Sequence, residues 1–169
     1  MTNTLILGGA RSGKSRRALD LAERAGAERI FIATAQAFDD EMTARIAHHK
    51  MERGVGWKTV EEPLDLADAI AREAPIASVC VVDCLTLWLS NLMHYQRDVE
   101  AEADQLCAHL IQASTPIILV SNELGMGLVP DTSLGRSFRD AQGRLNQAIA
   151  RACHRVEFIA AGLPISLKG

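Results

Sequence analysis

A chain of 169 residues has the length of one ordinary domain and leaves little room for a second independent core. Apolar residues make up 48% and charged residues 23%, which excludes a disordered or fibrous polypeptide. The formal net charge of −3 and pI near 5.9 exclude nonspecific nucleic-acid binding through a basic face, although a local basic pocket can still hold phosphate.

In chain order, Thr4 to Leu7 is a short apolar run and predicts a buried strand, followed by a Gly-rich turn and a helix over Ser15 to Arg24. A second strand is expected at Ile30 to Ala33, then helices from Asp39 to about Arg53 and from Leu64 to Glu73. Val79 to Val82 reads as a third strand, with helices over Leu85 to Leu92 and Val99 to Ala113 and a strand at Ile117 to Val120. The segment Glu123 to Gly135 is a long loop bearing Gly and Pro, the kind that serves as a lid or binding surface. The helix from Leu134 to Cys153 carries Phe138, Ala141, Leu145, Ala148, Ile149 and Ala152 at steps of three and four, one apolar stripe facing a sheet. Val156 to Ala160 is a further strand, and Ile165 to Leu167, after Gly162 and Pro164, can return as an antiparallel edge strand. Apolar runs alternating with helical stretches give an α/β fold, a mostly parallel sheet flanked by helices, in a single domain spanning 1–169.

No stretch reaches the ~18 uncharged apolar residues of a spanning helix, and the first residues lack a signal-peptide layout, so a cytoplasmic protein is expected. Cys80, Cys84, Cys107 and Cys153 form neither a CxxC pair nor a Cys/His cluster at zinc spacing, and are expected to be small core residues.

The first strand runs directly into GGARSGKS, in which Gly8, Gly13, Lys14 and Ser15 satisfy G-x-x-x-x-G-K-[ST]. Glycines let the backbone curl so that successive N–H groups face a polyphosphate, and the following helix presents its positive end to the same charge. Gly9, Ala10, Arg11 and Ser12 contribute that backbone, Lys14 neutralises the outer phosphates, and the Ser15 hydroxyl suits Mg²⁺ carried by the nucleotide. A second acidic group is needed at such a site. VCVVD puts Asp83 at the C-terminal end of an apolar strand, where it can serve the metal or cap the helix that follows.

The second strand leads through Thr34, Ala35 and Gln36 into DDEMTARIAHHKMERGVGW. There Glu41, Arg45 and His49 recur at i, i+4 and i+8, with Lys50 and Arg53 nearby. A neutral imidazole beside cations can attack phosphorus. By composition alone, adjacent histidines on an amphipathic helix are more often surface or interface residues than catalytic ones.

Five blocks, GGARSGKS, IATAQ-xx-DDEM-xx-RI-x-HHK, DCLT-x-W-x-SNL, SNE-x-GMG-x-VP and GR-x-FRD-x-x-GR-x-NQ, run through nearly the whole chain. Together they resemble the bifunctional adenosylcobinamide kinase/adenosylcobinamide-phosphate guanylyltransferase family. The resemblance implies a three-layer P-loop NTPase-type (RecA-like) fold and two reactions of cobalamin biosynthesis. A nucleoside triphosphate, ATP or GTP, phosphorylates adenosylcobinamide; GTP then donates GMP, through a GMP-histidine, to adenosylcobinamide phosphate. It further implies that His49, the second histidine of RIAHHK, is the nucleophile. By the same resemblance Thr34, Ala35, Gln36, Lys50, Met51, Glu52, Arg53, Glu61 and Asp83 are nucleotide contacts, with Ser15 and Asp83 serving Mg²⁺, and the chain assembles as a homotrimer. No tightly bound organic cofactor is expected. Glu61 and Glu62 are both placed to contact nucleotide or to cap the helix after Pro63, with Glu61 favoured as the contact. Arg136, Arg139 and Arg144 can receive the corrinoid phosphate or lie on a solvated face. Two other readings explain the same cradle: a P-loop kinase of another small metabolite without a covalent histidine step, and a nucleotide-driven binding module.

Overall fold

The computed structural model describes residues 2–36 and 56–169. Its strands are β1 (Thr4–Gly8), β2 (Arg29–Ala33), β3 (Trp57–Glu61), β4 (Val79–Asp83), β5 (Ile117–Asn122), β6 (Arg155–Ala160) and β7 (Leu163–Lys168). They form one seven-stranded sheet in the order β3-β2-β4-β5-β1-β6-β7. Every neighbouring pair is parallel except β6 and β7, which close the edge as an antiparallel hairpin. The expected strands are present, each extended by a residue or more. β3 is an additional strand that the apolar-run pattern missed. Its sequence WKTVE lies at the sheet edge, with Lys58 and Glu61 exposed and the other residues half-buried, so it lacks the continuous apolar run of a central strand.

The described helices are α1 (Lys14–Ala25), α2 (Leu66–Glu73), α3 (Leu85–His94), α4 (Val99–Gln112) and α5 (Ser133–Ala152). Two apolar layers sandwich the sheet. On one face Ala18 and Ala22 of α1 meet Ile6, Phe31, Val79, Val81, Ile118 and Val120. Both alanines are fully buried, and their small side chains let the helix lie close to the sheet. On the other face α2, α3, α4 and α5 bury Leu66, Ile70, Trp88, Leu106, Leu110, Leu145 and Ile149 against Leu5, Ile32, Val82 and Leu119.

The stripe of α5 is only partly apolar. Ala141, Leu145 and Ile149 are buried as expected, but so are Gln142 and Asn146 between them. Those amides form a network with β5: Ser121 Oγ donates to Asn146 Oδ1 at 2.7 Å, Gln142 Nε2 donates to Ser121 Oγ at 2.9 Å, and Asn146 Nδ2 donates to the Asn122 carbonyl at 3.0 Å. The C-terminus of α5 is finished by β7, whose Lys168 ammonium donates to the carbonyl of Ala150 at 2.9 Å and to that of Cys153 at 2.5 Å.

An ion pair ties α1 to β6, the strand beside β1. Arg17 Nε and Nη2 donate to the two carboxylate oxygens of Glu157, each at 2.8 Å, and Glu157 on β6 is 1% exposed. Arg155 approaches the same carboxylate at 2.5 Å. The hydrogen bonds from Arg17 hold the Glu157 carboxyl below the usual carboxylate range. A folded-state pKa that is depressed adds stability that is fully present above the unfolded value of about 4.3 and is lost as pH falls through the folded one. Replacing Arg17 with Met is therefore expected to cost about 3 kcal/mol at pH 7, because the buried carboxylate loses its bidentate partner. In denaturant titrations the gap between wild type and variant should shrink as the pH is taken below the carboxylate range; a gap that stays constant with pH contradicts this account.

Candidate active site

Gly8 ends β1 with φ of 153°, and Gly13 precedes α1 with φ of 101°, backbone conformations that disfavour a side chain. Space is restricted as well: a Cβ on Gly8 would lie 2.5 Å from the Ile159 carbonyl oxygen and 2.7 Å from Ser12 Oγ. Three contacts hold the turn between them. The Glu123 N–H donates to the Gly8 carbonyl at 3.0 Å, the Gly162 N–H to the Ser12 carbonyl at 2.9 Å, and Lys14 Nζ to the Gly9 carbonyl at 2.5 Å. Neither Glu123 nor Gly162 is part of the glycine-lysine motif. The β6–β7 turn supports the loop from outside, a role that no local signal in the sequence announces.

The loop is built for an anion. The N-cap of α1 is Gly13, which supplies no side-chain cap, and the first turn of α1 holds no acidic residue. Ser12 Oγ is buried without a hydrogen-bond partner. Lys14 is 7% exposed, and burial lowers its pKa while the charge of Asp83 pulls the other way. That coupling puts Asp83 within electrostatic reach of the loop.

Strand parity gathers the other candidates on the same side. Val79 and Val81 of β4, Ile118 and Val120 of β5, Phe31 of β2 and Trp57 of β3 belong to the layer under α1. Alternation along each strand then turns Asp83, Asn122, Ala33 and Glu61 to that face at the C-terminal rim. Register aligns Ala33 with both Asp83 and Glu61, and Gly8 with Asn122. The rim thus joins the loop of residues 8–15, Asp83 and Glu61 along one line of strand ends. His49, Lys50, Met51, Glu52 and Arg53, with the helix expected around them, lie outside the described residues.

Of the paired carboxylates after β3, Glu62 takes the capping role. Its Oε1 accepts from the N–H groups of Leu64 and Asp65 at 3.2 and 3.0 Å, leading into α2. Glu61 is exposed at the strand end. At the start of α3 the N-cap position belongs to Cys84, not Asp83. Thr34 is fully buried: its hydroxyl donates to the Cys84 carbonyl at 2.7 Å and accepts from the Cys84 N–H at 2.9 Å. Ala35 and Gln36 are half-buried beside it. Thr86 is buried too, and its Oγ1 accepts from the Asn122 N–H at 2.9 Å. Arg136 Nη1 donates to the carbonyls of Pro130 and Asp131 at 3.0 and 2.9 Å, folding back on its own loop, while Arg139 pairs with Asp140 at 3.6 Å. Arg144 lines a separate cleft between α4 and α5.

The residues present fit Mg²⁺ carried by a nucleotide. A hydroxyl at the second position of α1 and a carboxylate at the neighbouring strand end are hard oxygen donors on one face of the sheet, and Ser15 and Asp83 supply them. Among the described residues no group of three or more His, Cys, Asp or Glu side chains forms a separate metal cluster. The cysteines are free thiols, and burial pushes Cys80, Cys84 and Cys153 up to about 12.

The sequence profile of the family "cobinamide kinase / cobinamide phosphate guanyltransferase" matches residues 4–167. The chain belongs to that family. It is 50% identical over 167 residues to the "bifunctional adenosylcobalamin biosynthesis protein CobP" of Pseudomonas aeruginosa, covering 98% of this chain and 96% of the relative. It is 37% identical to the "bifunctional adenosylcobalamin biosynthesis protein CobU" of Escherichia coli, over 97% of this chain and 98% of the relative. The family and its named members are enzymes, kinases and guanylyltransferases of cobalamin biosynthesis. Solved structures share the fold at low identity: the flagellar accessory protein FlaH of Methanocaldococcus jannaschii gives a TM-score of 0.56 at 12% identity, covering 99% of this chain and 78% of that one. The RadB recombinase gives 0.53 at 15% identity, covering 93% and 73%. The architecture is that of P-loop NTPases.

A methyl group at position 8 tests the geometry of the cradle. Gly8→Ala forces a Cβ against the Ile159 carbonyl and is expected to cost about 2 kcal/mol of stability through backbone strain. Nucleotide affinity should fall by at least about tenfold, since the loop that presents the N–H donors must shift. Isothermal titration with ATP and GTP alongside thermal melts measures both; unaltered binding would show that the close approach at Gly8 is not needed.

Proposed function

We propose that this single domain phosphorylates adenosylcobinamide with a nucleoside triphosphate and then transfers GMP from GTP to the product, releasing pyrophosphate and yielding adenosylcobinamide-GDP. The observation that carries the reading is the full-length family match on a chain whose loop of residues 8–15, Asp83 and Glu61 share one sheet rim. In the kinase step the substrate hydroxyl oxygen attacks the terminal phosphorus and gives up its proton to solvent, while the bond to the bridging oxygen breaks and the nucleoside diphosphate leaves. Lys14 and the N–H groups at the start of α1 stabilise the charge that builds on the leaving group. Magnesium bound with the nucleotide, held by Ser15 and Asp83, supplies further charge neutralisation at the phosphates.

In the second step a bare ring nitrogen of His49 attacks the α-phosphorus of GTP. The bond from that phosphorus to its bridging oxygen breaks and pyrophosphate leaves. A phosphate oxygen of adenosylcobinamide phosphate then attacks the same phosphorus, the P–N bond breaks, and the imidazole is restored. Thr34, Ala35, Gln36, Glu61 and residues 50–53 hold the nucleoside. Because an unprotonated ring is required, the transferase rate should decline as pH falls below about 6.5.

The loop of residues 123–132 fits a bulky, partly apolar corrinoid, with Met126 and Leu128 exposed there. Leu163, Ile165 and Leu167 on the edge strand β7 are also exposed, which supports self-association, and the proposed assembly is a homotrimer. No helix among the described residues is long and apolar enough to cross a membrane, in keeping with the cytoplasmic location proposed.

GTP labelled at its α-phosphate tests the covalent step. Wild type should retain acid-labile, alkali-stable label on protein, and His49→Ala should lose both label and guanylyl transfer while keeping phosphorylation of adenosylcobinamide. Full labelling of His49→Ala, or its loss only in His48→Ala, moves the nucleophile to another ring. Corrinoid phosphorylation with no label on wild type leaves a simple kinase.

A further inference from the structure

The block DCLT-x-W-x-SNL has given the site only Asp83 so far, yet its second half packs two buried polar side chains into the same rim. Asn91 is 4% exposed and its amide nitrogen donates twice, to the Thr34 carbonyl at 2.8 Å and to the Pro63 carbonyl at 3.0 Å. Trp88, three residues earlier on the same face of α3 and fully buried, donates Nε1 to the Leu64 carbonyl at 2.7 Å. These carbonyls lie just past the C-terminal ends of β2 and β3. The last ladder contacts there are Thr34 N–H to the Asp83 carbonyl at 3.3 Å and Glu62 N–H to the Ala33 carbonyl at 2.9 Å. Beyond them the Thr34 hydroxyl still joins the end of β2 to Cys84, and the Asn91 amide bridges the segments that follow β2 and β3.

We propose that Asn91 is a positioning residue for the nucleoside half of the substrate: by joining the Thr34 and Pro63 carbonyls it fixes the spacing between residues 34–36 and Glu61. The inference rests on the reading that those residues contact the nucleoside. It separates two functions of the rim. The phosphate loop is secured by Gly162, Glu123 and the Arg17–Glu157 pair, whereas the Asn91 side chain donates to Thr34 and Pro63. The nucleoside side is secured by α3. Losing the amide leaves a buried carbonyl at Thr34 and a half-buried one at Pro63 without that donor, so the two segments are expected to move apart while the phosphate loop stays as it is.

The experiment compares GTP with inorganic tripolyphosphate, both with magnesium, by titration calorimetry on the full chain. Wild type should bind GTP more tightly than tripolyphosphate; equal affinities would overturn the nucleoside-contact reading itself. Asn91→Leu, close in shape but without a donor, should lose about tenfold in GTP affinity while tripolyphosphate affinity stays within about twofold. Asn91→Ser, whose hydroxyl can serve one carbonyl, should lie between. Parallel losses for both ligands, or no loss for GTP, would refute the positioning role. A third measurement needs no substitution: the assigned side-chain amide resonances of Asn91 in wild type should shift with GTP and stay in place with tripolyphosphate. Resonances indifferent to both ligands count against the proposal even if the variants fail to fold.

Discussion

Parallel pairing in one continuous register is the constraint from which the site follows. Because β2, β3 and β4 run the same way with Ala33 opposite both Asp83 and Glu61, their C-terminal ends stop on a common line. β1 and β5 finish beside each other as Gly8 and Asn122. Every turn leaving those ends opens on the same rim, the place where ligands of open α/β sheets are held. The chemistry of each loop differs, but the geometry that brings the loops together is a property of the backbone ladder.

The ladder alone leaves the loops poorly defined, and buried polar side chains complete them. Thr34, Asn91 and Trp88 tie the β2, β3 and β4 ends to α3. Thr86, Asn122, Asn146, Gln142 and Ser121 do the same between α3, β5 and α5. Each group is costly to bury without a partner and inexpensive with one, so such networks favour one arrangement over near alternatives. A similar tie closes the opposite strand ends, where Asn3 donates to the Leu110 carbonyl and accepts from the Ile117 N–H, and between the two ends most of the packing is by Ile, Leu and Val.

Much of this was legible in residue order, and the failures have physical reasons. Central strands such as VCVVD and IILVSN are apolar on both faces because both faces are covered, so they stand out. WKTVE does not, because an edge strand carrying Lys58 is stabilised by pairing with β2 and by the Phe31–Trp57 edge contact at 6.1 Å, neither of which leaves a local pattern. The stripe of α5 was read from its apolar positions, and the buried amides between them became visible only when β5 supplied Ser121 and the Asn122 carbonyl. The phosphate loop was plain from GGARSGKS because its chemistry is local. Its supports, Glu123 and Gly162, come from distant parts of the chain and act through backbone N–H groups, which every residue but proline has, so their side chains do not announce the role.

The dependence of that loop on β6 and the turn after it bears on how the chain comes into being. Gly8 to Ser15 are synthesised well before the peptide N–H of Gly162 that braces Ser12 and the carboxylate of Glu157 that anchors Arg17, the last two partners standing 140 residues apart. A nascent polypeptide therefore has the residues of the glycine-lysine loop long before it has their scaffold. A product terminated before β6 would lack both braces, so the turn between β1 and α1 would be left without its outer support.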